Sequence, residues 1–225
     1  TFFAGLGATS AVLMLVFKDT ITGLVAGVRL TSNDMLHKGD WITVKSVDAN
    51  GIVEDMSLTT VKVRNFDNTI VTISPTTLVN GSFQNWIGMQ KSGGRRAKRV
   101  VYFDFRSVRL VDETLKRNLL AKHFATEDSF KLKESLQKAI DKDIQEGKDI
   151  EDLKNPAALA PTNLQLYRKF MEKYLRQRPE VNTDLTLMVR HMEATQCGLP
   201  IEFYFFIKDK VWVNYEHILA DIMEH

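Results

Sequence analysis

TFFAGLGATSAVLMLVFKDTITGLVAGVRL, Thr1 to Leu30, decides how the rest of this chain is read. Thr1 to Phe17 carries no charge. As a helix rising ~1.5 Å per residue, this run nearly crosses a hydrocarbon core of ~30 Å. Ala4, Ala8, Ala11 and Leu15 are spaced four, three and four apart, so they share one helical face, and Lys18 continues it. Gly5 and Gly7 lie close by, so tight packing against another helix meets little steric resistance. No polar face exists to meet water, which favours a membrane helix packed on copies or neighbours over a helix buried in a soluble core.

Lys18-Asp19-Thr20 predicts a stop followed by a new start, with Asp19 or Thr20 as N-cap. Ile21, Leu24, Val25 and Val28 then share one side of a second helix, and Gly23 and Gly27 permit close approach on a neighbouring face. That helix is too short to span, so it is expected along or just beneath the membrane surface.

From Trp41 the period changes to two. Ile42–Val44, Ile52–Val53, Thr60–Val63 and Thr69–Ile73 read as strands. Asn50-Gly51 reads as a hairpin signal, Asp67-Asn68 as a second turn, and Ser74-Pro75 as the end of the last strand. Phe83 to Trp86 closes this small β-domain. KSGGRRAK, Lys91 to Lys98, reads as a Gly-rich basic connector. Beyond it, strands are expected over 99–105, 185–191 and 201–207, and helices over 110–124, 130–145, 164–178 and 213–225. This order predicts an α+β domain with a helical excursion between about 126 and 180.

Taken together, the bent Gly/Ala helix, GLVAGVRL (Gly23–Leu30), HKGDWITV (His37–Val44), SPTTLVNGSFQNW (Ser74–Trp86), the basic connector and the α+β region resemble the small-conductance mechanosensitive channel family. The helical excursion makes the chain look like the miniconductance branch typified by the YbdG protein of enteric bacteria. The resemblance implies a membrane α-helix that lines a pore and bends, then a small all-β Sm/SH3-like domain, then an α+β cytoplasmic domain, assembled as a homoheptameric channel. The implied divisions are a pore helix over 1–17, a kinked amphipathic helix and linker over 18–36, a β-domain over 37–90, and a C-terminally incomplete vestibule domain over 91–225. It implies a multi-pass protein of the bacterial inner membrane, with further membrane helices upstream. Its partners would be other copies of itself, membrane lipids and permeating ions and small solutes. No cofactor and no nucleic acid is implied. Two departures stand out: Pro75-Thr76 where the family usually has Pro-Asn, and Asp19 where many members have glycine at the pore-helix kink.

A ring of such helices makes a narrow apolar tube lined by Ala4, Ala8, Ala11 and Leu15, and apolar constrictions stop ions by dewetting. Leu15 is the bulkiest residue on the stripe and is expected to form the seal, one turn from Ala11. Lys18 then forms either a positive ring at the inner mouth or a contact to lipid phosphates. Asp19, Gly23 and Gly27 mark the expected kink.

The remaining signals are weaker. A net charge of +2 and a basic run, Arg95 to Arg99, without interleaved aromatics argue for a solvated connector or lipid-facing patch. A soluble Sm-like RNA-binding or adaptor module is the alternative class. The single cysteine, Cys197, excludes an internal disulfide and is expected to be buried. The five histidines show no metal-ligand spacing, and no phosphate-binding loop or nucleophile elbow is present.

Overall fold

The computed structural model describes residues 2–131, 138, 140–142, 145–146 and 160–225. The expected charged helix over 130–145, and the centre of the excursion, fall largely outside these. The chain divides into two compact units, Thr1–Ser92 and Gly93–His225.

The first unit opens with one helix, α1 (Phe2–Ser32), which runs through Lys18-Asp19-Thr20 without interruption. The expected stop and restart is therefore corrected, and neither Asp19 nor Thr20 is a cap. Lys and Asp inside a helix cost at most ~0.7 kcal/mol each, and no proline forces a break. The Thr22 hydroxyl donates back to the Lys18 carbonyl at 2.8 Å, a local bond fully compatible with helix. α1 ends where Asp34 adopts φ 52° and the Met35 amide bonds the Leu30 carbonyl at 3.1 Å.

Five antiparallel strands follow, β1 (Trp41–Val44), β2 (Ala49–Met56), β3 (Val61–Asn65), β4 (Ile70–Ile73) and β5 (Gln84–Asn85), in the order β4-β3-β2-β1-β5. Two short helices, α2 (Pro75–Asn80) and α3 (Ile87–Lys91), flank β5. The Asn50-Gly51 hairpin signal is also corrected. The chain turns at Lys45–Asp48, with Asp48 at φ 52°, while Asn50 and Gly51 sit inside β2 opposite Thr43 and Ile42. Gly51 is needed there because a Cβ would overlap the Arg64 carbonyl of the paired strand β3. At Asp67-Asn68 the turn forms as expected, with Asn68 at φ 70° and Asp67 accepting from the Thr69 amide at 2.9 Å. Ser74-Pro75 starts α2 as it ends the sheet, Ser74 being the N-cap with proline at the first helical position. Leu30, Leu36, Ile42, Val53, Val63 and Leu78 form the core.

The second unit is a three-stranded antiparallel sheet in the order β6-β8-β7, with β6 at Arg95–Phe103, β7 at Met188–His191 and β8 at Leu199–Ile207. Its helices are α4 (Glu113–Ala121), α5 (Glu127–Phe130), α6 (Asn163–Gln177) and α7 (Trp212–Glu224). Ile201, Phe203, Phe205 and Ile207 alternate along β8 into a core shared with Leu175 and Leu219. The basic connector is corrected here. Arg95–Arg99 is already strand, with Ala97 fully buried opposite Phe205. Arg95 lies 4.4 Å from the Tyr215 ring centroid and Arg96 5.9 Å from that of Tyr204, so the missing aromatics come from partner elements. Cys197 is exposed rather than buried, because it sits in the Thr195–Gly198 turn that joins β7 to β8.

Candidate membrane helix and its anchor

α1 has two regimes. From Val12 to Phe17 six consecutive apolar residues are each more than half exposed, Leu15 at 73%. At about 25 cal/mol per Å², such a surface is strongly disfavoured in water. Thr9–Ser32 is long and apolar enough to cross a membrane, and its 24 residues rise roughly 36 Å. Only Lys18, Asp19 and Arg29 are charged within α1. Ala11, Leu15 and Lys18 lie along one face and are all exposed in the single subunit. The side chains of Ala4 and Ala8 lie outside the described residues.

The C-terminal end of α1 is anchored instead. Ala26, Gly27 and Leu30 are buried against the β-domain, and α1 packs on α2. A Cβ at Gly27 would overlap the backbone carbonyl of Leu58, in the loop between β2 and β3. Gly23, one turn earlier, has no atom within 4 Å of a built Cβ. The two glycines that look alike in sequence thus do different work: Gly27 allows helix and β-domain to touch, and Gly23 faces open space in the subunit.

Below the anchor, Asp40 is 6% exposed and ties three segments together. Its Oδ2 accepts from the His37 amide at 3.0 Å and from Asn85 Nδ2 at 2.8 Å. Asn85 Nδ2 also lies 3.2 Å from the Met35 carbonyl. Next to this, Trp41 and Trp86 stack with centroids 4.6 Å apart, and Phe66 packs edge-on to Trp41 at 5.2 Å. Trp86 Nε1 donates to Thr43 Oγ1 at 3.0 Å. The HKGDW and FQNW segments, 45 residues apart, therefore form one joint directly under the helix. Both segments stand out in the sequence, but nothing local pairs them. Adjacent polar-Trp dipeptides in each are the signal that points to it.

Residues 19–88, which span the end of α1 and this whole joint, match the β-domain model of the mechanosensitive ion channels. The small-conductance mechanosensitive channel MscMJ of Methanocaldococcus jannaschii is 34% identical over 82 residues, covering 36% of this chain and 23% of that protein. The β-domain of this chain is thus similar to that of the mechanosensitive ion channels. The large-conductance channel MscMJLR of the same organism is 29% identical over 129 residues, covering 57% of this chain and 35% of that protein. The matches thus span about a quarter to a third of these relatives. Among solved structures, Arabidopsis thaliana MSL1 aligns at TM-score 0.60 with 10% identity, covering 99% of this chain and 60% of that one. Helicobacter pylori MscS in its closed state aligns at 0.57 with 12% identity, covering 99% and 65%. At these identities the likeness is one of fold: an MscS-like fold in which an apolar helix precedes the β-domain.

One further feature of this chain was not legible in advance. Glu202, on the central strand β8, is fully buried. Arg190 Nε donates to its Oε1 at 2.7 Å, and Lys98 Nζ lies 3.3 Å from its Oε2, so one carboxylate ties both outer strands to the central one. Burial pushes this carboxyl upward, but Arg190 and then Lys98 outweigh it and hold it below the usual range. Among the described residues, no three His, Cys, Asp or Glu side chains gather in a way that would hold a metal ion.

Proposed function

We propose that this chain is the pore-forming helix and the membrane-proximal and vestibule domains of an ion channel opened by membrane tension, which releases ions and small solutes on hypoosmotic shock. The observation that carries the reading is α1 itself: an apolar helix exposed on every side at Val12–Phe17 continues unbroken into an end packed on the β-domain. Exposed apolar surface of this size needs lipid and neighbouring helices to cover it. A soluble RNA-binding or adaptor module would leave it in water.

In this reading seven copies surround a pore in the bacterial inner membrane, with upstream helices completing a multi-pass subunit. The β-domain is Sm/SH3-like and the excursion is of the YbdG type. Ala4, Ala8, Ala11, Leu15 and Lys18 line the pore, and Leu15 forms the seal. Tension favours the open state because tilted, separated helices occupy more membrane area. Bending falls at Asp19, Gly23 and Gly27, where two glycines each forgo ~1 kcal/mol of helix propensity relative to alanine.

Leu15→Ser is expected to hydrate the constriction, removing about 2 kcal/mol per subunit of apolar stabilisation from the closed state. Tension-clamped patch recordings should show a lowered threshold, and an unchanged or raised one would remove Leu15 from the seal. For Lys18→Gln, reversal potentials in a salt gradient should shift toward cation preference if the lysines form a ring at the mouth. An identical reversal potential assigns Lys18 to lipid phosphates instead.

A further inference from the structure

The Gly93–His225 unit holds a cleft of about 370 Å³ where the turn after α4 and the start of α5 face α6. Lys169, Lys173 and Gln177, on successive turns of α6, reach its lining, as does His123 from the opposite side. Its walls are aromatic. Tyr174 and His225 stack with centroids 4.2 Å apart and planes 7° apart, Phe170 lies within 15° of the Tyr174 plane, and Phe124 meets Phe170 edge-on at 5.3 Å. A second cavity of about 270 Å³, lined by Leu115, Leu119 and Met171, shares Phe124, Leu166, Phe170 and His225 with the first. The two therefore form one amphipathic depression, basic at the rim and apolar behind.

Among the described residues, the charged side chains of the lining are basic. Neither cavity is lined by an Asp or Glu side chain among the described residues. Glu172, the acid on this stretch of α6, is engaged by Arg176 at 3.0 Å and Arg168 at 3.8 Å. Lys169 and Lys173 have no ion-pair partner among the described residues. Two lysines one turn apart, without a counter-charge among the described residues and beside three near-parallel rings, select a specific chemistry. Among the described residues a metal cation finds no acidic side chain, a neutral apolar molecule leaves the ammonium groups unanswered, and a bare anion leaves the rings unused.

We propose that this depression binds an aromatic organic anion, its charged group on Lys169 and Lys173 and its flat body against Phe170, Tyr174 and His225. Binding here does not depend on ion conduction. The test is isothermal titration of 1-naphthyl phosphate into the purified full-length protein in detergent. Inorganic phosphate and 1-naphthol serve as the charge-only and ring-only probes. Saturable binding at one site per subunit is expected, weakened tenfold or more in Lys169→Gln/Lys173→Gln, with each single-feature probe at least tenfold weaker. Tyr174→Leu should weaken the naphthyl ester and leave any residual phosphate binding unchanged. Both lysines lie at the rim, so the double variant is expected to keep the wild-type circular dichroism. Three results would each overturn the proposal: no saturable binding, equal binding by a double variant that retains its fold, or full competition by equimolar inorganic phosphate.

Discussion

Replacing Arg190 with leucine is expected to cost the Gly93–His225 unit about 3 kcal/mol, lowering its thermal midpoint by roughly 6–12 °C. Glu202 is 0% exposed and takes its shortest contacts from Arg190, at 2.7 Å. Losing them leaves a buried carboxylate with Lys98 alone, at 3.3 Å. The expected value sits at the low end for a broken buried pair because that second cation remains. Removing both partners separates charge from packing: Arg190→Leu/Glu202→Leu should regain most of the loss, since an apolar pair strands no charge and Lys98, half exposed, returns to water. A double variant no better than the single would show that packing of Arg190, rather than its charge, holds the strands.

Acid provides an independent check. The folded carboxyl of Glu202 lies below its unfolded value near ~4.3, so its contribution is fully present above that value and is lost as pH falls toward the folded one. From this group, stability should stay level between about pH 8 and 5 and fall below about pH 4. The deficit of Arg190→Leu should shrink over the same acidic range, because a neutral Glu202 no longer needs the guanidinium. Thermal midpoints of both proteins across pH 3–8 read this directly, and a deficit that stays constant would mean that Glu202 ionisation is not its source.

Gly27→Ala and Gly23→Ala are expected to move stability in opposite directions, although each removes a glycine from the same helix. Both gain ~1 kcal/mol of helix propensity. At Gly23 nothing lies within 4 Å of the added methyl, so the gain stands and the midpoint rises. At Gly27 the methyl meets the Leu58 carbonyl, and backbone cannot step aside as a flexible side chain would. The resulting strain, about 1–3 kcal/mol, exceeds the propensity gain and pushes α1 off the β-domain. Thermal midpoints of the purified protein should rank Gly23→Ala above wild type and Gly27→Ala below it. In the channel reading, Gly27→Ala also weakens the coupling between pore helix and vestibule. The reverse ranking would place the close contact at Gly23, against a neighbouring helix.

Much of this could be read directly from local signals. The charge-free run, the change to period two at Trp41, the Asp67-Asn68 turn and the helix over 164–178 all depend on neighbours in the chain, and all reappear with shifts of a residue or two. The misreadings share a cause. Lys18-Asp19-Thr20 looked like a stop and restart because Asp and Thr are good N-caps, yet helix hydrogen bonding tolerates them inside the helix. Asn50-Gly51 looked like a hairpin turn, but the paired strand β3, at Arg64, needed that glycine inside β2. The arginines of β6 looked like a solvated connector, because the residues that pair with them are about 100 positions away on β8 and α7.

A likeness to the mechanosensitive channels, the change from helix to β-domain and one long apolar helix were legible in hydrophobic period, turn chemistry and two short motifs, all properties of contiguous residues. Which glycine lets α1 touch the β-domain, how Asp40 and Asn85 close one joint, and why Glu202 can remain buried and charged were settled only by folding. Each of those depends on atoms brought within about 3 Å from distant parts of the chain, and neither periodicity nor spacing encodes such contacts.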